Sequence, residues 1–164
     1  MPGTRLLLAL FVALMIAGCS GKGMDHVISL KEIDKLDNIA SEMTPEEAQI
    51  FQQTVIAEVG RLTIQFGLSA MSEGLASYGD PSRDPATPKT DETLDKLQAL
   101  DGKTARAATI EILQAFKANL QTEKTKANEI AAAYPTLAGK ADPADFDSRI
   151  ATLDRKIALI SKTK

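Results

Sequence analysis

The spacing of apolar residues near the end of the chain limits most strongly how it can fold. Five of them recur at alternating intervals of four and three residues, namely Phe146, Ile150, Leu153, Ile157 and Ile160. This spacing puts them on one face of an α-helix and is typical of the seam along which helices pack in a coiled coil. Asp142-Pro143 marks the start of that helix, because Asp is a favoured N-cap and proline fits the first helical position.

Helix-start signals also occur in the first third of the chain. Ser29 and Glu32 have the spacing of a capping box, and Thr44-Pro45-Glu46-Glu47 joins an N-cap to a proline and two acids. No segment shows the period-two alternation of a β-strand. We therefore expect an all-α fold, either a helical bundle or a long helical hairpin, with about four to five helices and no sheet.

The longest predicted helix runs from Pro45 to about Tyr78 without a proline. Its apolar stripe comprises Phe51, Val55, Val59, Leu62 and Phe66, and Leu68, Met71 and Leu75 continue it with a shift of face. Three glycines, Gly60, Gly67 and Gly74, recur every seven residues in this segment. Each costs about 1 kcal/mol relative to alanine inside a helix.

Two interpretations of the glycines stay open. In one they form a smooth groove that a helix of this chain or of a partner approaches closely. In the other, favoured because short helices are the commoner case, the helix breaks near a glycine or the spacing is accidental. The glycines and the C-terminal seam (Phe146, Ile150, Leu153 and Ile157) are the candidate helix-packing or partner faces.

Two stretches predict connections between helices. The 79–91 segment contains Pro81, Pro85 and Pro88 and predicts a proline-rich loop. Asp101-Gly102 is expected to end a short helix over 92–100, with Gly102 as a left-handed C-cap. Thr104 then caps a helix that continues to about Ala133.

The first 18 residues have the layout of a secretory signal peptide. Arg5 is followed by an apolar run over 6–16, and Ala17 and Gly18 precede Cys19, the one cysteine of the chain. The apolar run is shorter than the roughly 20 residues that a transmembrane helix needs. We expect residues 1–18 to be removed in the mature protein.

Ile16-Ala17-Gly18-Cys19 resembles the lipobox of bacterial lipoproteins. The resemblance implies cleavage between Gly18 and Cys19, diacylglycerol on the thiol of Cys19 and often a third acyl chain on the new amine. Residues 19–28 would then be a lipidated tether, followed by a single helical domain over 29–164. Ser20 is not the aspartate that retains such proteins in the inner membrane of enterobacteria-like cells, so we expect the periplasmic face of the outer membrane.

A second and looser resemblance concerns small helical lipoproteins of unknown function. Met43-Thr44-Pro45-Glu46-Glu47 and Leu100-Asp101-Gly102-Lys103-Thr104-Ala105 resemble an acid-rich helix start and a later turn in that group. The group carries no assigned activity, so the resemblance implies no functional residues.

The sequence offers no catalytic or cofactor motif. His26 is the one histidine, and in a tether it is better explained as a solvated side chain than as a base held against a partner. A net charge of −3 gives no basic footprint for nucleic acid. We expect no cofactor, no metal and no enzymatic activity.

These patterns favour a lipid-anchored, periplasm-facing binding or structural module that meets a protein or envelope component through a helical face. A narrower alternative is a pilotin-like assembly factor. A hydrolase that uses carboxylates would require a cleft with two acids of different proton affinity. A carrier of a small apolar ligand would require an unfilled internal cavity. The partner and the oligomeric state stay open.

Overall fold

The structure, a computed structural model, describes residues 22–79, 90–134 and 143–162, with side chains described over 22–71, 92–134 and 144–162. This part of the chain contains no β-strand, so the predicted all-α class is confirmed. Its α-helices are α1 (Lys22–Asp25), α2 (Leu36–Ser41), α3 (Pro45–Phe51), α4 (Ala57–Gly79), α5 (Thr90–Gln98), α6 (Ala105–Ala133) and α7 (Pro143–Lys162). A 3-10 helix, Leu30–Lys35, precedes α2, and a π-helical segment, Gln52–Ile56, joins α3 to α4.

Several expectations fall outside the described residues. They are the signal peptide over 1–18, the cleavage site at Gly18, the lipidation of Cys19, and most of the proline-rich loop over 79–91. None of the helices in the described ranges is long and apolar enough to cross a membrane.

The chain divides into two compact units, Met1–Ala105 and Arg106–Lys164, where the sequence led us to expect a single domain over 29–164. The first unit contains α1 to α5. The second contains α7 and all of α6 except its first residue.

The long helix of the first unit is continuous from Pro45 to Gly79. As predicted, Thr44 is its N-cap: the Thr44 hydroxyl accepts a hydrogen bond from the backbone N–H of Glu47, and the Glu47 carboxylate accepts one from the backbone N–H of Thr44. The helix does not break at Gly60, Gly67 or Gly74, so the predicted break near a glycine is wrong. An accidental spacing, the other half of that interpretation, stays open. One side of this helix supplies Phe51, Val55, Val59 and Leu62 to the buried core.

Most of the expected tether is folded. Residues 22–28 form α1 and an antiparallel bridge between Val27 and Thr104, and Met24 and Ile28 are buried. Besides burying these two apolar side chains, the segment packs closely at Gly23. A Cβ on Gly23 would lie 2.5 Å from Met43 Cγ and 2.8 Å from the carbonyl oxygen of Ile39, so a larger residue would not fit there. The tether prediction for 22–28 is therefore corrected, and 19–21 lie outside the described residues.

The predicted capping box at Ser29 is wrong. The side chain of Ser29 makes no capping hydrogen bond, and Glu32 has a non-helical backbone. The Glu32 carboxylate instead accepts a hydrogen bond from Lys35 Nζ at 2.5 Å. The backbone N–H of Leu30 is satisfied from far along the chain, by Asp101 Oδ1 at 2.8 Å.

The turn after α5 holds this N-terminal segment in place. Gly102 has the predicted positive φ, +77°, but it lies in the turn that follows α5 and not at the helix end, because α5 stops at Gln98. The turn exchanges backbone hydrogen bonds with residues 26–28, among them Ile28 N–H to Lys103 O at 2.7 Å and Ala105 N–H to His26 O at 2.8 Å. A turn conformation that favours glycine thus anchors the start of the fold.

In the second unit, α6 and α7 form an antiparallel helical hairpin. Lys117 pairs with Asp154 at 2.6 Å, and Lys124 pairs with Asp147 at 2.6 Å. The guanidinium of Arg106 donates to the carbonyl oxygen of Ile160. Across these three pairs the residue number rises along α6 while that of the partner in α7 falls, so the two helices run antiparallel.

Candidate functional site

The helix α4 has two faces of opposite character. Val59 and Leu62 are 3% and 1% exposed, respectively, whereas Ile64, Leu68 and Met71 are 65%, 63% and 67% exposed. Residues four and three positions apart share a helix face, so Ile64, Leu68 and Met71 form one continuous apolar surface. That surface lies opposite the side of the helix that packs into the core.

The exposed face carries no charge over three turns. Between Arg61 and Glu73 the sequence has no Asp, Glu, Lys or Arg, although these residues make up 25% of the chain. Single exposed apolar residues are ordinary, but a contiguous apolar and uncharged surface on a folded protein usually meets a partner. We therefore regard this face as the candidate functional site.

Two of the predicted glycines lie on the same face. Gly60 is four residues before Ile64, and Gly67 is three residues after Ile64 and four before Met71. A Cβ built on either glycine would meet no atom of the described residues within 4 Å, so no other described part of this chain approaches them closely. Gly74 is also in α4, but its surroundings lie outside the described side chains. We call Gly60, Ile64, Gly67, Leu68 and Met71 the α4 stripe.

The backbone conformation of α4 does not require glycine at positions 60 and 67. Both lie in ordinary helical conformation, and the glycine with positive φ in the described residues is Gly102. What Gly60 and Gly67 provide is the absence of a side chain, which lets a neighbouring surface come close to the helix backbone.

A charged network lies at one edge of the α4 stripe. The guanidinium of Arg61 donates to both carboxylate oxygens of Glu58, at 2.8 and 2.6 Å, and to Gln65 Oε1 at 2.9 Å. The hydrogen bond from Arg61 holds the pKa of Glu58 below its ordinary value of 4.5, and the same bond raises the pKa of Arg61. Glu58 and Gln65 lie between the buried and exposed faces, so the network keeps the charge of Arg61 off the apolar surface.

The C-terminal seam is in a different position. Phe146, Ile150, Leu153 and Ile157 are half-buried in α7, and Ile160 is fully buried. Leu153 lies with Phe116 and Leu120 in a groove of about 420 Å³ on the hairpin, which is open to solvent and also lined by Glu123, Ser148, Arg149 and Thr152. The seam thus packs within its own hairpin, and the groove is not the internal cavity that a carrier of a small apolar ligand would require.

The remaining polar residues of interest lie apart from the α4 stripe in the sequence. His26 Nε2 lies 3.0 Å from Glu42 Oε2, and both side chains are about half exposed. The carboxylate of Glu47 is 1% exposed, and its Oε1 has no hydrogen-bond partner among the described atoms. No group of three or more His, Cys, Asp or Glu residues within the described ranges is arranged to hold a metal ion.

Sequence reasoning found the glycines but missed the apolar residues beside them. It placed Leu68 and Met71 in a continuation of the apolar stripe with a shift of face, and it assigned no role to Ile64. In the structure all three are exposed. The signal that was available is the uncharged run from Leu62 to Ser72, which is unusual for the solvent side of a helix.

No protein-family model, no curated protein and no solved structure matches this chain.

Proposed function

We propose that this protein is a lipid-anchored component of the bacterial envelope that acts as a binding module, and that the α4 stripe is its contact surface. The observation that carries the proposal is the exposed, uncharged apolar face of α4. Binding of a partner would remove this surface from water, which is the main favourable term in protein association.

The anchor in this proposal is Cys19, with residues 1–18 removed and the protein facing the periplasm from the outer membrane. Diacylglycerol supplies two acyl chains, enough for stable attachment to a bilayer. Cys19 precedes Lys22, the first described residue, by three positions, a span of at most about 10 Å. Since residues 22–28 are folded, the anchor would hold the first unit close to the membrane surface.

The other hypotheses have less support. A hydrolase that uses carboxylates would need two acids that push their pKa values apart, whereas the pKa of Glu58 is lowered by Arg61 and not shifted by a second acid. The pilotin-like assembly factor is a special case of the binding module, and no observation selects it.

Two measurements test the proposal together. The mass of the protein extracted from membranes should show an acylated Cys19, and a Cys19→Ala variant should leave the membrane fraction. After amine-reactive crosslinking in intact membranes, the extracted wild-type protein should run in a mild detergent as a complex larger than one chain. Leu68→Glu should reduce that complex to a monomer, because it puts a charge on the contact surface.

The matched control is Ile130→Glu, since Ile130 is also exposed, at 53%, but lies on α6. It should leave the complex intact. An unmodified Cys19 would refute the anchor, and a wild-type protein that stays monomeric after crosslinking in its own membrane would refute the binding module.

A further inference from the structure

We propose that the α4 stripe binds the same stripe of a second copy of this chain. This inference rests on the proposed function, because it names the partner of that surface. It requires that the face be compatible with itself in charge and shape, and that two anchored copies present it to each other.

The charge of the face is compatible with self-association. Hetero-partners commonly gain specificity from complementary charges, whereas the segment between Arg61 and Glu73 has none to complement. When two identical surfaces meet about a two-fold axis, a charge close to the axis meets its own copy, which is unfavourable. A face without charge avoids this repulsion, and Arg61 is held at its edge by Glu58.

The shape of the face also suits a second copy. Each stripe presents large side chains (Ile64, Leu68 and Met71) beside positions without side chains (Gly60 and Gly67). Because Gly60 and Gly67 have open space around them, the large residues of one copy can pack against the bare backbone of the other. A symmetric pair of this kind closes on itself and exposes no further surface.

The area of the contact indicates where the pair would form. Burying a leucine-sized side chain removes on the order of 100 Å² from water, so three such residues from each copy contribute roughly 600 Å². That is about half of the ~1,200 Å² at which stable interfaces begin. The pair should therefore be weak between free chains in dilute solution.

Attachment to one membrane compensates for the small area. Anchoring raises the effective concentration of each copy for the other, as a linker does between two binding modules. The short segment between Cys19 and the folded residues gives every copy nearly the same height above the bilayer. Identical stripes then meet at matching height, which a partner with a different anchor does not guarantee.

Cysteine crosslinking in intact cells tests the inference directly, because acylation would leave the chain without a free thiol. Leu68→Cys in the full-length chain should react with a short bis-maleimide to give a product of twice the monomer mass. The control is Ile130→Cys, which is similarly exposed on α6 and reports random collision. We expect several-fold more dimer from Leu68→Cys than from the control.

A second substitution shows whether the product depends on the shape of the stripe. Gly67→Phe, added to Leu68→Cys, fills the open position, and no atom of the described residues lies within 4 Å of the new Cβ. The dimer product should fall to the level of the control. A dimer that persists undiminished would place the contact elsewhere and overturn the inference.

The outcomes separate this inference from the proposed function. A Leu68→Cys product of another mass, absent from the control, overturns the second copy but leaves the α4 stripe as a binding surface. Equal yields from Leu68→Cys and Ile130→Cys, with no other product, overturn both.

Discussion

The carboxylate of Asp101 accepts a hydrogen bond from the backbone amide of Leu30 at 2.8 Å, across 71 residues of sequence. The amide is at the start of the 3-10 helix, where no earlier carbonyl can serve it. Asp101 therefore performs the capping role that the sequence assigned to Ser29.

Replacing Asp101 should destabilise the first unit by about 1 kcal/mol, the usual loss for a helix cap. We expect this for Asp101→Ala, whereas Asp101→Asn, which keeps an acceptor oxygen, should lose less. Urea unfolding of the mature Cys19→Ala chain measures both. A Ser29→Ala variant is the control and should have little effect, since its side chain makes no capping bond. A larger loss of stability for Ser29→Ala than for Asp101→Ala would contradict the capping role of Asp101.

Replacing glycine with alanine should lower stability at Gly23 and raise it at Gly67. At Gly23 the new Cβ would lie 2.8 Å from the carbonyl oxygen of Ile39 and 3.0 Å from the carbonyl carbon of Glu42, both backbone atoms that cannot move aside. We expect Gly23→Ala to cost roughly 1–3 kcal/mol, as overpacking does. At Gly67 the new Cβ meets no atom of the described residues within 4 Å, so Gly67→Ala should stabilise the monomer by up to about 1 kcal/mol through helix propensity.

Thermal unfolding of the two variants checks this pair of predictions. If Gly23→Ala proved neutral, residues 22–28 would not be packed as described, and they could serve as a tether after all.

The successes and failures of the sequence analysis have a common physical basis. The N-cap at Thr44 and the helix after it were predictable because capping acts within one turn of the chain. The predicted cap at Ser29 was wrong because Asp101 accepts the hydrogen bond from Leu30 instead, and that bond depends on how distant segments fold together. Periodicity showed that Leu68 and Met71 share a face, but it cannot show whether a face meets the core, water or a partner.

The tether was mispredicted for a similar reason. Residues 20–26 form a short, polar and glycine-containing stretch, a composition typical of a flexible linker. The close fit of Gly23 against Met43, and the bridge to Thr104, depend on tertiary structure that composition does not encode.

Glu47 should matter far more than its neighbour Glu46. Glu47 is 1% exposed, and its Oε2 accepts hydrogen bonds from the backbone N–H and the hydroxyl of Thr44, at 3.1 and 2.8 Å. Glu47→Ala removes these bonds and leaves a buried gap, so we expect a loss of about 2 kcal/mol. Glu46 is exposed, and Glu46→Ala should change stability by less than ~0.5 kcal/mol. Chemical denaturation at neutral pH compares them, and equal losses would contradict the buried capping box.

The ion pair of Glu58 and Arg61 should give a small pH dependence. The hydrogen bond from Arg61 lowers the pKa of Glu58 in the folded state, so the pair contributes stability above pH 4.5 and loses it as the pH falls through the folded-state pKa. Arg61 is 55% exposed at its side chain, so the contribution should be only about 0.3–0.5 kcal/mol.

We expect Glu58→Gln to be less stable than wild type at pH 7, with the difference vanishing near pH 2. Denaturation curves at both pH values, at low salt, measure it. A difference that stays constant with pH would show that the loss is one of packing rather than of charge.

The two faces of α4 predict different responses to the same substitution. Leu62→Ala should cost about 2–5 kcal/mol, because Leu62 is 1% exposed and its truncation leaves a cavity. Leu68→Ala should change stability by less than ~0.5 kcal/mol, because Leu68 is 63% exposed in the single chain. The measurement is unfolding of the mature Cys19→Ala chain in dilute solution, where the small contact area predicts a monomer. A large cost at Leu68 that is independent of protein concentration would place this residue in the core, whereas a cost that grows with concentration would mean that copies pair through the stripe even without the membrane.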